Sequence, residues 1–150
     1  MAVRRTLLLI EDNRADIRLI QEALKASTIA FDIAIARDGM EAMAYLRREP
    51  DYQSQDYSNA IRPDLILLDL NLPKKDGREV LAEIKADPAL YHIPIIVLTT
   101  SRSEDDISKS YDLYVNCYIS KSRNLTQLFQ IVRGIEEFWL ETATLPPNQG

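Results

Sequence analysis

Two neighbouring carboxylates, Glu11 and Asp12, follow directly on the apolar run Thr6-Leu7-Leu8-Leu9-Ile10. A third, Asp69, follows directly on Leu65-Ile66-Leu67-Leu68. Like charges brought close repel and raise one another's pKa, so three carboxylates that meet need a cation among them. Hard oxygen ligands with room left for water suit Mg²⁺. Two other residues stand at the ends of apolar runs: Thr99 after Ile93-Pro94-Ile95-Ile96-Val97-Leu98, and Lys121 just beyond Val115-Asn116-Cys117-Tyr118-Ile119. A hydroxyl can donate to an anion, and an ammonium can neutralise one. Acids, a hydroxyl and an ammonium together are the equipment for holding a cation and a phosphoryl group at one point. Taken singly, each residue has a plainer reading: a solvated acidic rim, a strand-end cap at Thr99, a surface lysine at Lys121. The choice depends on whether the fold brings the ends of these runs together.

The elements that must position them alternate along the chain. Apolar runs over Thr6–Ile10, Phe31–Ile35, Leu65–Leu68, Ile93–Leu98 and Val115–Ile119 read as five strands. Between them lie helical patterns: Ile17, Ile20 and Leu24; Met40, Met43 and Leu46 after Asp38-Gly39; Val80, Leu81 and Ile84; and Ile107, Tyr111 and Tyr114. A last helix over about 124–140 carries the stripe Leu128, Val132, Ile135 and Trp139. Residues 49–62 are polar and read as a long surface loop, and the chain beyond Pro146-Pro147 as a frayed tail. Five strands separated by helices run parallel with right-handed crossovers. Barrel closure takes eight such units, so five predict an open, doubly wound α/β sheet of (βα)₅ type in the flavodoxin-like order 2-1-3-4-5. Ligands in such sheets bind at the carboxyl ends of the strands, where the order reverses, near the ends of strands one and three. That is where Glu11-Asp12 and Asp69 stand, and the two readings of the previous paragraph separate in favour of a shared site.

With these residues placed, the chain resembles the receiver domain of response regulators, of the chemotaxis type. The resemblance rests on Glu11-Asp12, Asp69, Leu72-Pro73 with Asp76-Gly77, Thr99 and Lys121, in order. The spacings agree as well: 30 residues from Asp69 to Thr99, 19 from Thr99 to Tyr118 and 3 from Tyr118 to Lys121. It covers about residues 6–140 of the 150, which implies one receiver domain with a tail over 141–150. Within the family, Asn116-Cys117-Tyr118, Lys121-Ser122-Arg123-Asn124-Leu125, Phe138-Trp139-Leu140-Glu141-Thr142 and the loop over 49–62 resemble the small regulators that partner phytochrome histidine kinases.

The resemblance implies a phosphorelay role in two-component signalling. Asp69 would be the phospho-acceptor, attacking a phosphohistidine of a histidine kinase, with a phytochrome the candidate kinase. Mg²⁺ would be held by Asp12, Asp69 and the backbone carbonyl of Asn71, with Glu11 acting through water. Thr99 and Lys121 would bind the phosphoryl group. Thr99 and Tyr118 would form a switch, the aromatic ring turning inward as Thr99 is drawn toward Asp69. The protein would be no general enzyme, catalysing only its own phosphorylation and dephosphorylation. Tyr111, Tyr118, Phe138 and Trp139 would line a homodimer face, because the last helix carries more apolar surface than one sheet face needs. Two positions depart from the pattern: Ser122 stands where receivers have proline, predicting a trans bond after Lys121 because a non-proline cis bond costs about 3 kcal/mol, and Thr100 stands where many have alanine.

Bulk properties narrow the field further. A net charge of −5 with no basic stripe argues against nucleic acid as a partner. The apolar run near the start is too short for a signal peptide or membrane span, so a soluble cytoplasmic protein is expected. Cys117 is the one cysteine, read as a small apolar residue, and His92, the one histidine, stands away from the site. A dehalogenase-type phosphatase or toprim-type nuclease would need an acid at position 71, which is Asn71. A flavodoxin would need a hydroxyl-rich phosphate loop where Glu11-Asp12 stand. The serious rival is a receiver-like interaction module that signals without phosphorylation.

Overall fold

The computed structural model describes residues 4–25 and 31–147. Positions 1–3 and 148–150, which the reading above assigned to the start and the tail, lie outside the described residues. Five strands, β1 (Arg5–Ile10), β2 (Phe31–Ala36), β3 (Leu65–Leu68), β4 (Ile95–Thr99) and β5 (Cys117–Ser120), form one parallel sheet in the order β2-β1-β3-β4-β5. Helices α1 (Arg14–Lys25), α2 (Gly39–Arg47), α3 (Gly77–Ala86), α4 (Glu104–Asp112) and α5 (Leu125–Ile135) follow them in turn.

Side chains alternate between the faces of a strand, so a central strand apolar at every position needs cover on both sides. On one face Leu8, Ile10, Ile66, Leu68, Ile95 and Val97 pack with Met43 and Leu46 of α2 and Val80, Leu81 and Ile84 of α3. On the other, Leu7, Leu9, Leu65, Leu67, Ile96 and Leu98 pack with Ile17, Ile20 and Leu24 of α1 and Leu128, Val132 and Ile135 of α5. Each fully buried Leu or Ile contributes about 1.5–3 kcal/mol of transfer free energy. The register Ile10↔Leu68 on β1–β3 and Leu68↔Val97 on β3–β4 brings the carboxyl ends of the three central strands level.

Helix starts are fixed by side-chain caps. Asp38 accepts from Glu41 N at 2.8 Å, Asp76 from Arg78 N at 3.0 Å, Ser103 from Asp106 N at 3.3 Å and Asn124 from Gln127 N at 3.1 Å. Each relieves one of the amide donors left unpaired in a first helical turn. The stretch 49–62 holds no helix or strand, and it is tied down: Tyr45 Oη donates to the Ile61 carbonyl, and Arg48 Nε to that of Ala60, each at 2.9 Å.

One expectation changes. The α-helix ends at Ile135, and Glu136–Thr142 continue as a π-helix, whose wider turn moves the buried face on by one residue. Leu140 is therefore buried after Ile135, and Trp139, placed on the stripe by its α-helical spacing, is only half-buried. The polar end beyond Pro146-Pro147 lies outside the described residues; before it, Leu145 is buried in the α1/α5 core, and Pro146 and Pro147 line a surface pocket with His92. On α4 Ser110 is the buried residue and Tyr111 is exposed, as is Tyr114 just past the helix, at 82%.

Candidate functional site

The carboxyl ends of β1, β3, β4 and β5 meet in one crevice. Glu11, Asp12 and Asp69 each offer a carboxylate oxygen within 4.8 Å of the others. Glu11 and Asp69 are buried and Asp12 is exposed, so the cluster opens to water on one side. The β3 backbone holds Asp69 through its amide, which donates to the Ile10 carbonyl at 3.0 Å. Three hydrogen bonds then grip its carboxylate. Oδ1 accepts from the Thr99 hydroxyl at 2.7 Å and from the Asn71 amide at 3.0 Å, and Oδ2 accepts from Lys121 Nζ at 3.0 Å.

Lys121 is buried and donates to three carboxylates: Glu11, Asp69 and Asp16, the last at 2.9 Å. Burial is the largest single influence on this ammonium and acts to lower its pKa. The hydrogen bond and charge of Glu11, the charge of Asp69 and the hydrogen bond to Asp16 outweigh it, so Lys121 is held above its ordinary value and stays charged. Burial and the nearby Asp69 charge push the Glu11 carboxyl up to about 7, against the opposing pull of Lys121. Such a buried, mutually repelling set of oxygens fits a hard divalent cation, whose charge would relieve both effects.

The wall of the crevice is built by close backbone approach. At Gly77, the first residue of α3, a Cβ would lie 2.2 Å from the Asp69 carbonyl oxygen. At Gly39, the first of α2, it would lie 2.0 Å from that of Lys75. Only glycine lets these helix starts press against the β3–α3 turn. Across the mouth, Asn71 Nδ2 stands 3.5 Å from the exposed Thr100 Oγ1, so Thr100 does flank the entrance.

Beside the crevice, the β4–α4 loop carries a second network. Tyr118 is half-buried, and its hydroxyl donates to the Ser101 carbonyl at 2.9 Å. Ser101 Oγ donates to Asp106 at 2.6 Å, and Arg78 grips the same carboxylate with Nε and Nη2, each at 2.7 Å. Arg78, and after it Ser101, hold the Asp106 carboxyl down at about 2. No peptide bond among the described residues is cis, so Ser122 is joined to Lys121 in trans, as its type predicts.

The structure thus brings together Glu11, Asp12, Asp69, Asn71, Thr99 and Lys121, with Tyr118 of β5 hydrogen-bonded to Ser101, two residues along the loop from Thr99. Of the residues expected on the outer face, Tyr111 and Phe138 are exposed, and Tyr111 Oη receives Tyr118 N at 3.2 Å. Trp139 sits edge-on to Phe138, ring centroids 5.5 Å apart. His92 meets Tyr91 edge-on, away from the crevice. Asp16 was missed by sequence reasoning. Its one signal is its place four residues after Asp12, which a helix begun by Asn13 turns back toward the crevice; Asn13 Oδ1 caps α1 at Asp16 N, 3.0 Å away.

A doubly wound five-stranded sheet with acids, a hydroxyl and an ammonium at its switch point defines a receiver. The chain belongs to the response regulator receiver domain family, whose model matches residues 7–133. It is 61% identical over 142 residues to the response regulator Rcp1 of Synechocystis sp., an alignment covering 95% of this chain and 93% of that protein. Among solved structures it is similar to the phosphorylated cyanobacterial phytochrome response regulator RcpA, with 68% identity, a TM-score of 0.91 and coverage of 97% of this chain and 100% of that one. The Mn²⁺-bound form of Rcp1 superposes with a TM-score of 0.90 at 60% identity over 95% and 99% of the two chains. No helix among the described residues is long and apolar enough to cross a membrane.

Proposed function

We propose that this response regulator takes a phosphoryl group from the phosphohistidine of a histidine kinase onto Asp69, and that a phytochrome is the kinase. The observation that carries the reading is the Asp69 carboxylate itself, gripped by Thr99, the Asn71 amide and Lys121 beside two further acids. An Asp69 oxygen attacks phosphorus, and the bond from phosphorus to the imidazole nitrogen breaks. Its electron pair stays on that nitrogen, and an aspartyl phosphate forms. The Thr99 hydroxyl and the Lys121 ammonium donate to the phosphoryl oxygens, so the work left to the chain is positioning and charge. Asp12, Asp69 and the Asn71 carbonyl, with Glu11 through water, would hold Mg²⁺, whose charge would offset repulsion between carboxylate and phosphoryl oxygens. That the relative Rcp1 has a Mn²⁺-bound form supports a divalent ion as the cofactor here.

The output is a change of surface. Thr99 ends β4 and Ser101 follows in the same loop, with the Tyr118 hydroxyl on the Ser101 carbonyl. A Thr99 hydroxyl that leaves Asp69 for a phosphoryl oxygen shifts that loop, and Tyr118 moves with it. Tyr111 and Phe138 are exposed, and we propose that they form a homodimer face with Tyr118 and Trp139. The domain spans the chain with its core over about 6–140. It works in the cytoplasm through protein contacts rather than nucleic acid, as its charge of −5 favours, and its only chemistry is gain and loss of its own phosphoryl group.

The test is phosphotransfer from a panel of purified, autophosphorylated histidine kinases, phytochromes included. Rapid, Mg²⁺-dependent labelling by a phytochrome is expected. Labelling by none would favour the phosphorylation-independent module.

A further inference from the structure

An ammonium has three N–H donors, and all three on Lys121 are taken, by Glu11, Asp69 and Asp16. An incoming phosphoryl oxygen can therefore be received only if one carboxylate lets go. Two of the three are held inside: the Glu11 side chain is 2% exposed and that of Asp69 is 7%. Glu11 is further tied to the Asn13 amide at 3.2 Å. Asp16 is 21% exposed and reaches Lys121 from the first turn of α1, an element that contributes no other ligand to the ammonium. Water can replace Lys121 at Asp16 at little cost, and at the other two only at a large one. We infer that Asp16 is a positioning residue: it holds the Lys121 ammonium over Asp69 before transfer and competes with the phosphoryl group for it afterwards. Asp16 thereby sets how tightly the crevice grips an anion. This rests on the reading of Asp69 as the acceptor.

The competition has a measurable sign. A unit charge one hydrogen bond beyond Lys121, screened by water on its outer side, should change anion affinity roughly fivefold. The probe is beryllofluoride, a phosphoryl mimic, titrated into the full chain at saturating Mg²⁺ and read from backbone amide NMR shifts. Asp16→Asn should bind it roughly fivefold more tightly than wild type, and Asp16→Glu, which keeps the charge, should stay within about twofold. Asp16→Ser provides a second neutral variant should the asparagine form fail to fold. A merely structural role would loosen binding or leave it unchanged in the neutral variants, and either result overturns the inference while leaving the acceptor reading intact. Failure of wild type to bind the mimic, or equal binding by Asp69→Asn, would overturn the acceptor reading and this inference with it.

Discussion

Replacing Gly77 by alanine should cost the fold at least about 3 kcal/mol, and the reason is space rather than backbone freedom. Among the described residues no glycine has a positive φ, so Gly77 is not present for an unusual backbone conformation. Its added Cβ would instead meet the Asp69 carbonyl oxygen at 2.2 Å, the Leu70 Cα at 2.6 Å and the Leu70 carbonyl carbon at 2.9 Å. These are backbone atoms of the turn that carries the acceptor, held by Gly77 N donating to the Leu70 carbonyl at 2.9 Å. No side-chain rotation can relieve the clash, and the turn or α3 must move by roughly 1 Å. Overpacking that flexible neighbours can absorb costs about 1–3 kcal/mol, and a clash with fixed backbone belongs at or above the top of that range. Gly134 is the control. It is exposed within α5, and nothing lies within 4 Å of a Cβ built there. Its replacement by alanine should stabilise by about 0.5–1 kcal/mol, the helix-propensity difference. Urea unfolding followed by circular dichroism, with midpoint and slope fitted separately, reads both. The same chemical change should thus move the midpoint in opposite directions. Gly77→Ala within about 0.5 kcal/mol of wild type would refute the packing argument.

Other consequences are open to test. Asp12→Ala removes a direct carboxylate from the acidic set, so Mg²⁺ affinity measured by NMR titration should fall at least tenfold; wild-type affinity would place the ion elsewhere. Asp106 is held at about 2, below its ordinary value, so its pairing with Arg78 and Ser101 stabilises the fold fully above about pH 4 and is lost as pH falls toward 2. The acid limb of the stability curve of Asp106→Asn should accordingly be shallower than that of wild type over that window, and identical slopes would show the pair to be idle. Sedimentation at several concentrations, with and without beryllofluoride, should reveal self-association that Phe138→Ala weakens. A strict monomer up to high micromolar concentration in both states would remove the dimer.

How much of this was legible in the sequence follows from which interactions are local. Apolar runs and helical spacings are local, and they carried the strand order and the placing of Glu11, Asp12, Asp69, Thr99 and Lys121. Caps are local too, and Asp38 and Asp76 behave as their types predict. What escaped depends on geometry that spacing does not encode. The one-residue shift at Glu136–Thr142 comes from a π-helix, and it exchanges Trp139 for Leu140 against the core. Leu145 returns to the core through a turn with no periodic signal. Asp16 meets Lys121 across 105 positions of sequence, and only the fold, which packs α1 beside α5, reveals the pair.

The central claim is that Asp69 is the residue that becomes phosphorylated, and its chemical product can be located directly. An aspartyl phosphate is an acyl phosphate, which borohydride reduces to the alcohol, turning the modified aspartate into homoserine. The chain is phosphorylated by a kinase or acetyl phosphate with Mg²⁺, reduced, digested and sequenced by tandem mass spectrometry. Homoserine should appear at position 69 and nowhere else, and only when Mg²⁺ and the donor were both present. Homoserine at position 12, or none at 69 in a chain that carried label, would contradict the account.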